Sequence, residues 1–264
     1  MEALLFIAIE ASLKAGEEIL KVYESNFAVE HKDDTSPLTL ADKNAHNIIC
    51  ENLKKTDFPV LSEEGKLIDY AERSRWKYFW MVDPLDGTKE FVKRNGEFTV
   101  NIALIHQQRS ILGVIYVPVT KTLYFAAEGI GSYKVQTSKF KGQASELNDI
   151  LQYSEKLPLK STKSKFTIVA SRSHLSEETE MFIDGIKTTH KEVAFISSGS
   201  SIKLCLVAEG SADIYPRFAP TMEWDTAAGQ AICEIAGKLV IDYSTNKPLL
   251  YNKQSLLNNW FIVQ

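Results

Sequence analysis

The sequence predicts an α/β (α+β) protein, and three observations carry that expectation. Residues 2–24 place Leu5, Ile9, Leu13, Ile19 or Leu20, and Tyr23 at helical spacing. Between residues 78 and 127, short apolar runs are separated by polar turns, the pattern of a strand-rich block. From residue 166 onward, strand-like and helix-like stretches alternate, as in an α/β half.

The elements follow in order. The first helix spans 2–24; its polar face is mixed and carries several glutamates, unlike the basic face of a membrane-surface helix. After the polar stretch His31–Pro37, a second helix starts near Thr39 and runs through Asn44, Ile48 and Leu53. Val60-Leu61 is a short strand ending at Ser62-Glu63-Glu64-Gly65, and residues 66–77 are a helix or connection. Tyr78–Val82 is a buried strand, and a helix begins near Lys89. Strands at Phe98–His106 and Ile111–Val117 flank a turn at 107–110, and Leu123–Ala127 leads into Gly129-Ile130-Gly131. Residues 136–165 are rich in Lys, Ser and Gln and read as a connection. Strands at Phe166–Ala170, 192–196 and Ala212–Tyr215 then alternate with helices near 176–187, 200–209 and 225–236. The chain thus divides into an N-terminal half, 1–135, a variable connection, 136–165, and a C-terminal half, 166–264.

Composition narrows the class. Of the 264 residues, 44% are hydrophobic and 24% charged, the balance of a soluble globular protein. The net charge of −4 argues against a nucleic-acid polymer as the main ligand. Cys50, Cys205 and Cys233 are far apart and odd in number, which suits buried thiols in a reducing compartment. No secretory leader is recognisable, and no segment reaches the roughly 18 apolar residues of a bilayer span. A cytoplasmic protein without a transmembrane segment is expected.

The most informative stretch is Asp83-Pro84-Leu85-Asp86-Gly87-Thr88, directly after the apolar strand. Alone it also reads as a turn, because Pro84 and Asp86-Gly87 punctuate chains. Its position at a strand end favours a second reading, in which carboxylates there bind a hard cation and free N–H groups at the next helix start bind phosphate. Glu63-Glu64 also follows a short apolar strand, so two acidic strand ends can converge on one ion. Asp225 opens an Ala-rich helix, where it reads equally as an N-cap or as a ligand facing phosphate. Asp42 reads as a first-turn carboxylate and Thr88 as an N-cap. Together, a hydroxyl and a carboxylate can share a hydrogen bond and accept a proton from an attacking water. Ser171-Arg172-Ser173-His174 and Gly199-Ser200-Ser201-Ile202-Lys203 offer hydroxyls and N–H groups to an anion or a polar ring edge. Arg217 lies between apolar neighbours and needs a partner or an anion.

The ordered set Glu63-Glu64, Asp83-Pro84-Leu85-Asp86-Gly87-Thr88-x-x-Phe91 and Trp224-Asp225-x-x-Ala228-Gly229 resembles the inositol monophosphatase superfamily of metal-dependent, lithium-sensitive phosphatases. Within it the resemblance extends to the bacterial 3'(2'),5'-bisphosphate nucleotidases. It is carried there by Leu61–Glu64, Asp83–Phe91, Arg94–Ile105, Ser171–His174, Gly199–Lys203, Cys205–Gly210 and Tyr215–Phe218. The fold this implies is a layered αβαβα sandwich with the active site between its halves.

The resemblance also implies roles. Glu63, Asp83, Asp86, the Leu85 carbonyl and Asp225 would hold about two or three Mg²⁺ ions. Asp42, Thr88 and Glu63 would serve catalysis. Gly87, Thr88, His174, Ser200, Lys203, Arg217 and Asp225 would face a small phosphorylated nucleotide. The implied reaction removes the 3'-phosphate of adenosine 3',5'-bisphosphate, and 3'-phosphoadenylyl sulfate is a second implied substrate, in sulfate assimilation and nucleotide recycling. An inositol or sugar monophosphatase would keep the metal residues and need no adenine site. A non-catalytic phosphometabolite sensor would not need Asp42 and Thr88. Monomer and dimer both stay open. Some superfamily members associate peripherally with the inner membrane, which this sequence does not demand.

Overall fold

The computed structural model describes residues 1–25, 37–140, 144–160, 163–171 and 176–264. Two amphipathic helices form the outermost layer. Helix α1 (Glu2–Glu24) buries Leu5, Ala8, Ile9, Ala15 and Ile19 along one stripe, and α2 (Pro37–Leu53) buries Ala41, Ala45, Ile49 and Leu53. These residues of both helices belong to one apolar cluster with the sheet face that the helices cover.

That sheet is the second layer. It contains β1 (Val60–Ser62), β2 (Tyr78–Asp86), β3 (Thr99–His106), β4 (Arg109–Val117), β5 (Thr122–Ala127), β6 (Gly131–Gln136) and β7 (Glu155–Lys156), in that spatial order. Strand β1 is parallel to β2, and every later neighbour is antiparallel. Short helices α3 (Tyr70–Arg73), α4 (Thr88–Val92) and α5 (Leu147–Leu151) lie in its connections. The stretch 136–165, read from sequence as a connection, thus contributes α5 and β7. Trp80, Val82, Ile102 and Leu104 face α1 and α2, while Phe79, Met81, Ala103 and Ile105 face the other way. Both faces are covered, so the strands read as continuous apolar runs although they are antiparallel.

The remaining layers come from the C-terminal half. Strands β8 (Phe166–Ser171) and β9 (Val193–Ser198) are parallel and are separated in sequence by α6 (Glu177–Thr189). Helix α7 (Ile202–Ala208), strand β10 (Tyr215–Arg217) and helix α8 (Glu223–Ile235) follow. Strands β11 (Val240–Asp242), β12 (Lys247–Pro248) and β13 (Phe261–Val263) complete a second sheet of order β10-β13-β11-β12. A parallel bridge between Ile168 and Ile214 stitches β8 to its edge. Helices α7 and α8 fill the space between the two sheets, and α6 covers the far side through Ile183 against Ile168 and Ile214. The order is helices, sheet, helices, sheet, helix: the expected αβαβα sandwich. Among the described residues no helix is long and apolar enough to cross a membrane.

Three local expectations change. Strand β2 continues through Asp86, because its ladder with β3 resumes at Asp86–Thr99 after an irregularity that follows Asp83–Asn101. The strand expected at Ala212–Tyr215 is displaced to Tyr215–Arg217, where the C-terminal residues Phe261–Val263 supply its partner. Strands β11 to β13 have no counterpart in the sequence reading, since each is only two or three residues long.

Helix α8 sits on the large sheet at Gly113, where an added Cβ would lie 2.2 Å from the Ala228 carbonyl oxygen. Gly113→Ala should therefore force α8 off the sheet and destabilise the fold by about 3 kcal/mol, the upper range of overpacking costs. Urea denaturation measures this, and an unchanged midpoint would contradict the close approach.

Candidate active site

The end of β2 turns its carboxylates toward the C-terminal half. Gly87 takes φ of 95°, left-handed backbone that glycine adopts without a Cβ penalty, and this breaks the strand and starts α4. The space is limiting too, because a Cβ on Gly87 would approach Glu97 O and Ser200 Cβ at 3.2 Å. Carboxylate oxygens of Asp83, Asp86 and Asp225 lie within 4.8 Å of one another. Asp225 reaches this point from the first turn of α8, where its Oδ2 also accepts from Met222 N at 2.9 Å. The N-cap of α8 is Met222 and not Asp225, because Asp225 sits one turn in at N3; from there its side chain caps the Met222 N–H and still faces the cluster. Asp83 Oδ1 accepts from Leu85 N at 3.1 Å, which folds the Pro84-Leu85 backbone around the carboxylate.

Burial and like charge dominate the electrostatics. Asp83 is 1% exposed, and burial pushes its carboxyl well up, with the charges of Asp86, Glu63, Asp225 and Asp42 adding to the effect. Asp225 is pushed up to about 8 by burial and then by Asp86. Asp42 is also pushed up to about 8, by burial and then by Glu64 and Glu63, and its Oδ1 is buried without a hydrogen-bond partner. Glu63 is exposed as a residue, yet its carboxyl end leans against Asp83; desolvation raises it, with Asp86 and Glu64 contributing. A cluster of oxygen donors with this much uncompensated charge fits a hard divalent cation.

One broad cleft opens beside the cluster. Asp86, Gly87, Thr88, Ser200, Lys203, Arg217 and Asp225 all line it. Thr88 is exposed at its edge, and no hydrogen bond joins Thr88 to Asp42 among the described residues. Ser200 Oγ donates to Asp86 Oδ2 at 2.5 Å and Ser201 N donates to the same oxygen at 2.6 Å. Lys203 is 5% exposed, and its Nζ donates to Ser200 O at 2.5 Å and Ser198 O at 3.3 Å, so it braces its own turn. Burial lowers its ammonium to about 8, partly offset by the charge of Asp86. Arg217 donates to Pro220 O at 3.1 Å, while its Nε is buried and unpartnered. His174 falls outside the described residues.

Among the contributing residues, Glu64 and Ser201 appeared only within sequence motifs, while Thr99, Asn101, Glu97, Arg73 and Glu223 were not singled out as site residues. Glu64 adds charge beside Asp42. Thr99, Asn101 and Ser201 form a buried polar cluster behind Asp86, and Glu97 Oε2 accepts from Gly199 N at 2.8 Å. The available signal was Thr99-x-Asn101, two polar residues inside an otherwise apolar strand. Arg73 and Glu223 act from further away. Arg73 donates to Asn252 Oδ1 at 2.8 Å and Lys253 O at 2.7 Å, and Glu223 accepts from Asn252 N at 2.5 Å. These bonds tie the segment after Glu63 to the start of the helix that carries Asp225.

The layered fold and the acidic cluster at its internal cleft define a phosphatase-type architecture, and the chain belongs to the inositol monophosphatase family, whose profile matches residues 1–261. It is 44% identical over 254 residues to the 3'(2'),5'-bisphosphate nucleotidase CysQ of Salmonella typhimurium strain LT2, which spans 94% of both chains. The Escherichia coli K12 protein of the same name gives the same identity and coverage. The crystal structure of CysQ from Bacteroides thetaiotaomicron superimposes with a TM-score of 0.94 at 54% identity, covering 100% of this chain and 97% of that one.

The raised carboxyls have a testable sign. Asp42 and Asp225 at about 8 hold protons in the metal-free fold that the unfolded chain releases near pH 4. Their contribution to stability is complete below about pH 4 and is lost as pH climbs through about 8. With chelator present, the melting temperature should fall between pH 6 and pH 8. Added Mg²⁺ should restore it most at pH 8, where protons compete least for the ligands. A chelated protein more stable at pH 8 than at pH 6 would contradict the assignment.

Proposed function

We propose that the chain is a Mg²⁺-dependent nucleotidase that hydrolyses the 3'-phosphate of adenosine 3',5'-bisphosphate to give AMP. The observation that carries the reading is that the Asp83–Asp86–Asp225 cluster opens, through Asp86 and Asp225, onto the cleft that also presents Arg217 and the Gly199–Lys203 turn. Identity of 44% to nucleotidases over nearly the whole chain supports the same substrate class.

Glu63, Asp83, Asp86, Asp225 and the Leu85 carbonyl are the groups that would hold Mg²⁺. An ion held there would supply neutralisation of phosphoryl oxygens and a lowered pKa for the attacking water. The chain supplies the rest. Asp42, whose buried Oδ1 has no hydrogen-bond partner, is the carboxylate that would accept the proton. Thr88, at the cleft edge, orients the water beside it. Gly87 presents backbone without a side chain, so a phosphate can come close. Arg217 has a buried Nε–H with no partner, a donor for an anionic group. Lys203 spends its hydrogen bonds on the Ser198 and Ser200 carbonyls, so its service to the substrate is its charge and its bracing of the turn.

Phosphate release should be fastest from adenosine 3',5'-bisphosphate, slower from inositol 1-phosphate and fructose 1,6-bisphosphate, and inhibited by Li⁺. Faster release from the inositol ester would reassign the substrate, and no release from any of the three would end the enzymatic reading. Asp86→Asn should lower kcat by at least about a hundredfold while the protein stays folded. Activity should also fall from pH 8 to pH 5, as protons displace the cation from the carboxylates. A flat profile over that range would argue against a carboxylate-held metal.

A further inference from the structure

A hydroxyl donates one proton and accepts two, and this rule decides the state of the buried cluster behind Asp86. In the β2–β3 pairing Asp86 lies opposite Thr99, and Asp83 opposite Asn101. Thr99 Oγ1 is 2.6 Å from Ser200 Oγ, 2.8 Å from Ser201 Oγ and 3.0 Å from the Asn101 side-chain oxygen. Ser201 Oγ is 2.8 Å from that same Asn101 atom, and Ser200 Oγ is 2.5 Å from Asp86 Oδ2. Thr99, Asn101 and Ser201 are 0%, 1% and 2% exposed, so no bulk water completes the set.

With the Asn101 oxygen turned inward, these five contacts share only the three hydroxyl protons. Two contacts then set lone pair against lone pair, while Asn101 Nδ2 is buried without a partner. Oxygen and nitrogen of an amide exchange places by a half-turn that hardly moves the atoms. In the turned state Asn101 supplies two more protons, which makes five for five contacts. An Asp86 oxygen that accepts from Ser200 Oγ forces each step. Ser200 must donate to Asp86, so Thr99 must donate to Ser200. Ser201 and Asn101 must then donate to Thr99, and Asn101 must also donate to Ser201.

We propose that Asn101 and Thr99 are positioning residues for metal binding. Asn101 Nδ2 heads a one-way relay through Ser201, Thr99 and Ser200 that pins one oxygen of Asp86. The other oxygen is thereby left to face the cation. The proposal rests on Asp86 being a metal ligand and is independent of which phosphate ester is hydrolysed. Affinity for the metal then depends on side chains that never touch it.

The test is calorimetric titration of the metal-stripped full chain with Mn²⁺, without substrate. Thr99→Ser keeps the hydroxyl and should bind within about twofold of the unaltered protein. Thr99→Val and Asn101→Leu keep the volume but lose the donors, and should bind about tenfold more weakly. In turnover, half-saturation by Mg²⁺ should rise in those two variants, with kcat at saturating Mg²⁺ close to unaltered. Wild-type affinity in both, or equal loss in Thr99→Ser and Thr99→Val, would overturn the relay. Should either apolar variant fail to fold, neutron diffraction of the unaltered protein decides: two deuterons from Asn101 pointing at Thr99 and Ser201 support the relay, and an oxygen there rejects it. An unaltered protein that binds Mn²⁺ in this pattern yet releases no phosphate would defeat the proposed substrate and leave the relay standing.

Discussion

The structure depends on one unfavourable interaction. Asp83 is buried at the end of β2, and the charges of Asp86, Glu63, Asp225 and Asp42 all bear on it. Such a group of carboxylates, crowded around one buried member, cannot all ionise without compensation. Either protons or a cation must supply the compensation, and the difference between those two states is what gives the site its affinity for metal. Burial of Asp83 raises the cost of the bare charges, while Asp86 and Asp225 keep the cluster open to the cleft.

Convergence of these groups requires both halves of the chain. Glu63, Asp83 and Asp86 come from neighbouring parallel strands β1 and β2, which place acidic ends side by side. Asp225 arrives on α8, and close packing of α8 at Gly113 sets its depth. The Gly199–Ser201 turn reaches back to Asp86, while Arg73, Asn252 and Glu223 tie the segment after β1 to the root of α8. Ser200 holds φ of 50° at that turn, an unusual value for a residue with a Cβ. Lys203 holds the turn by donating to its carbonyls, so a buried charge serves to brace a backbone. The cleft thus lies at a junction where each half completes the other's polar groups.

Much of this was legible before any coordinates. The helical stripe of 2–24, the buried strand at 78–82 and the acidic strand ends at Glu63 and Asp83 are local patterns, and local patterns survive translation into one dimension. The layered sandwich followed from the family resemblance. What escaped was non-local. Strands β11 to β13 are too short to show a period, and they exist because β10 and β13 pair across more than forty residues of chain. Lys203 was expected at the nucleotide, and the fold adds what the sequence could not show, that its hydrogen bonds go to its own turn. Thr99 and Asn101 stood in a strand with no partner in view, because Ser200 and Ser201 lie about a hundred residues away.

Residue type and spacing offered a chemistry, carboxylates at strand ends with a glycine and a hydroxyl beside them, and the family resemblance selected it over a plain turn. That chemistry belongs to the functional groups and needs no particular geometry to be recognised. Tertiary structure decided which carboxylates share one ion, how strongly each resists ionisation, and which donors hold Asp86 in place. These properties depend on distances of a few ångströms and on exclusion of water, and both arise only when distant segments pack.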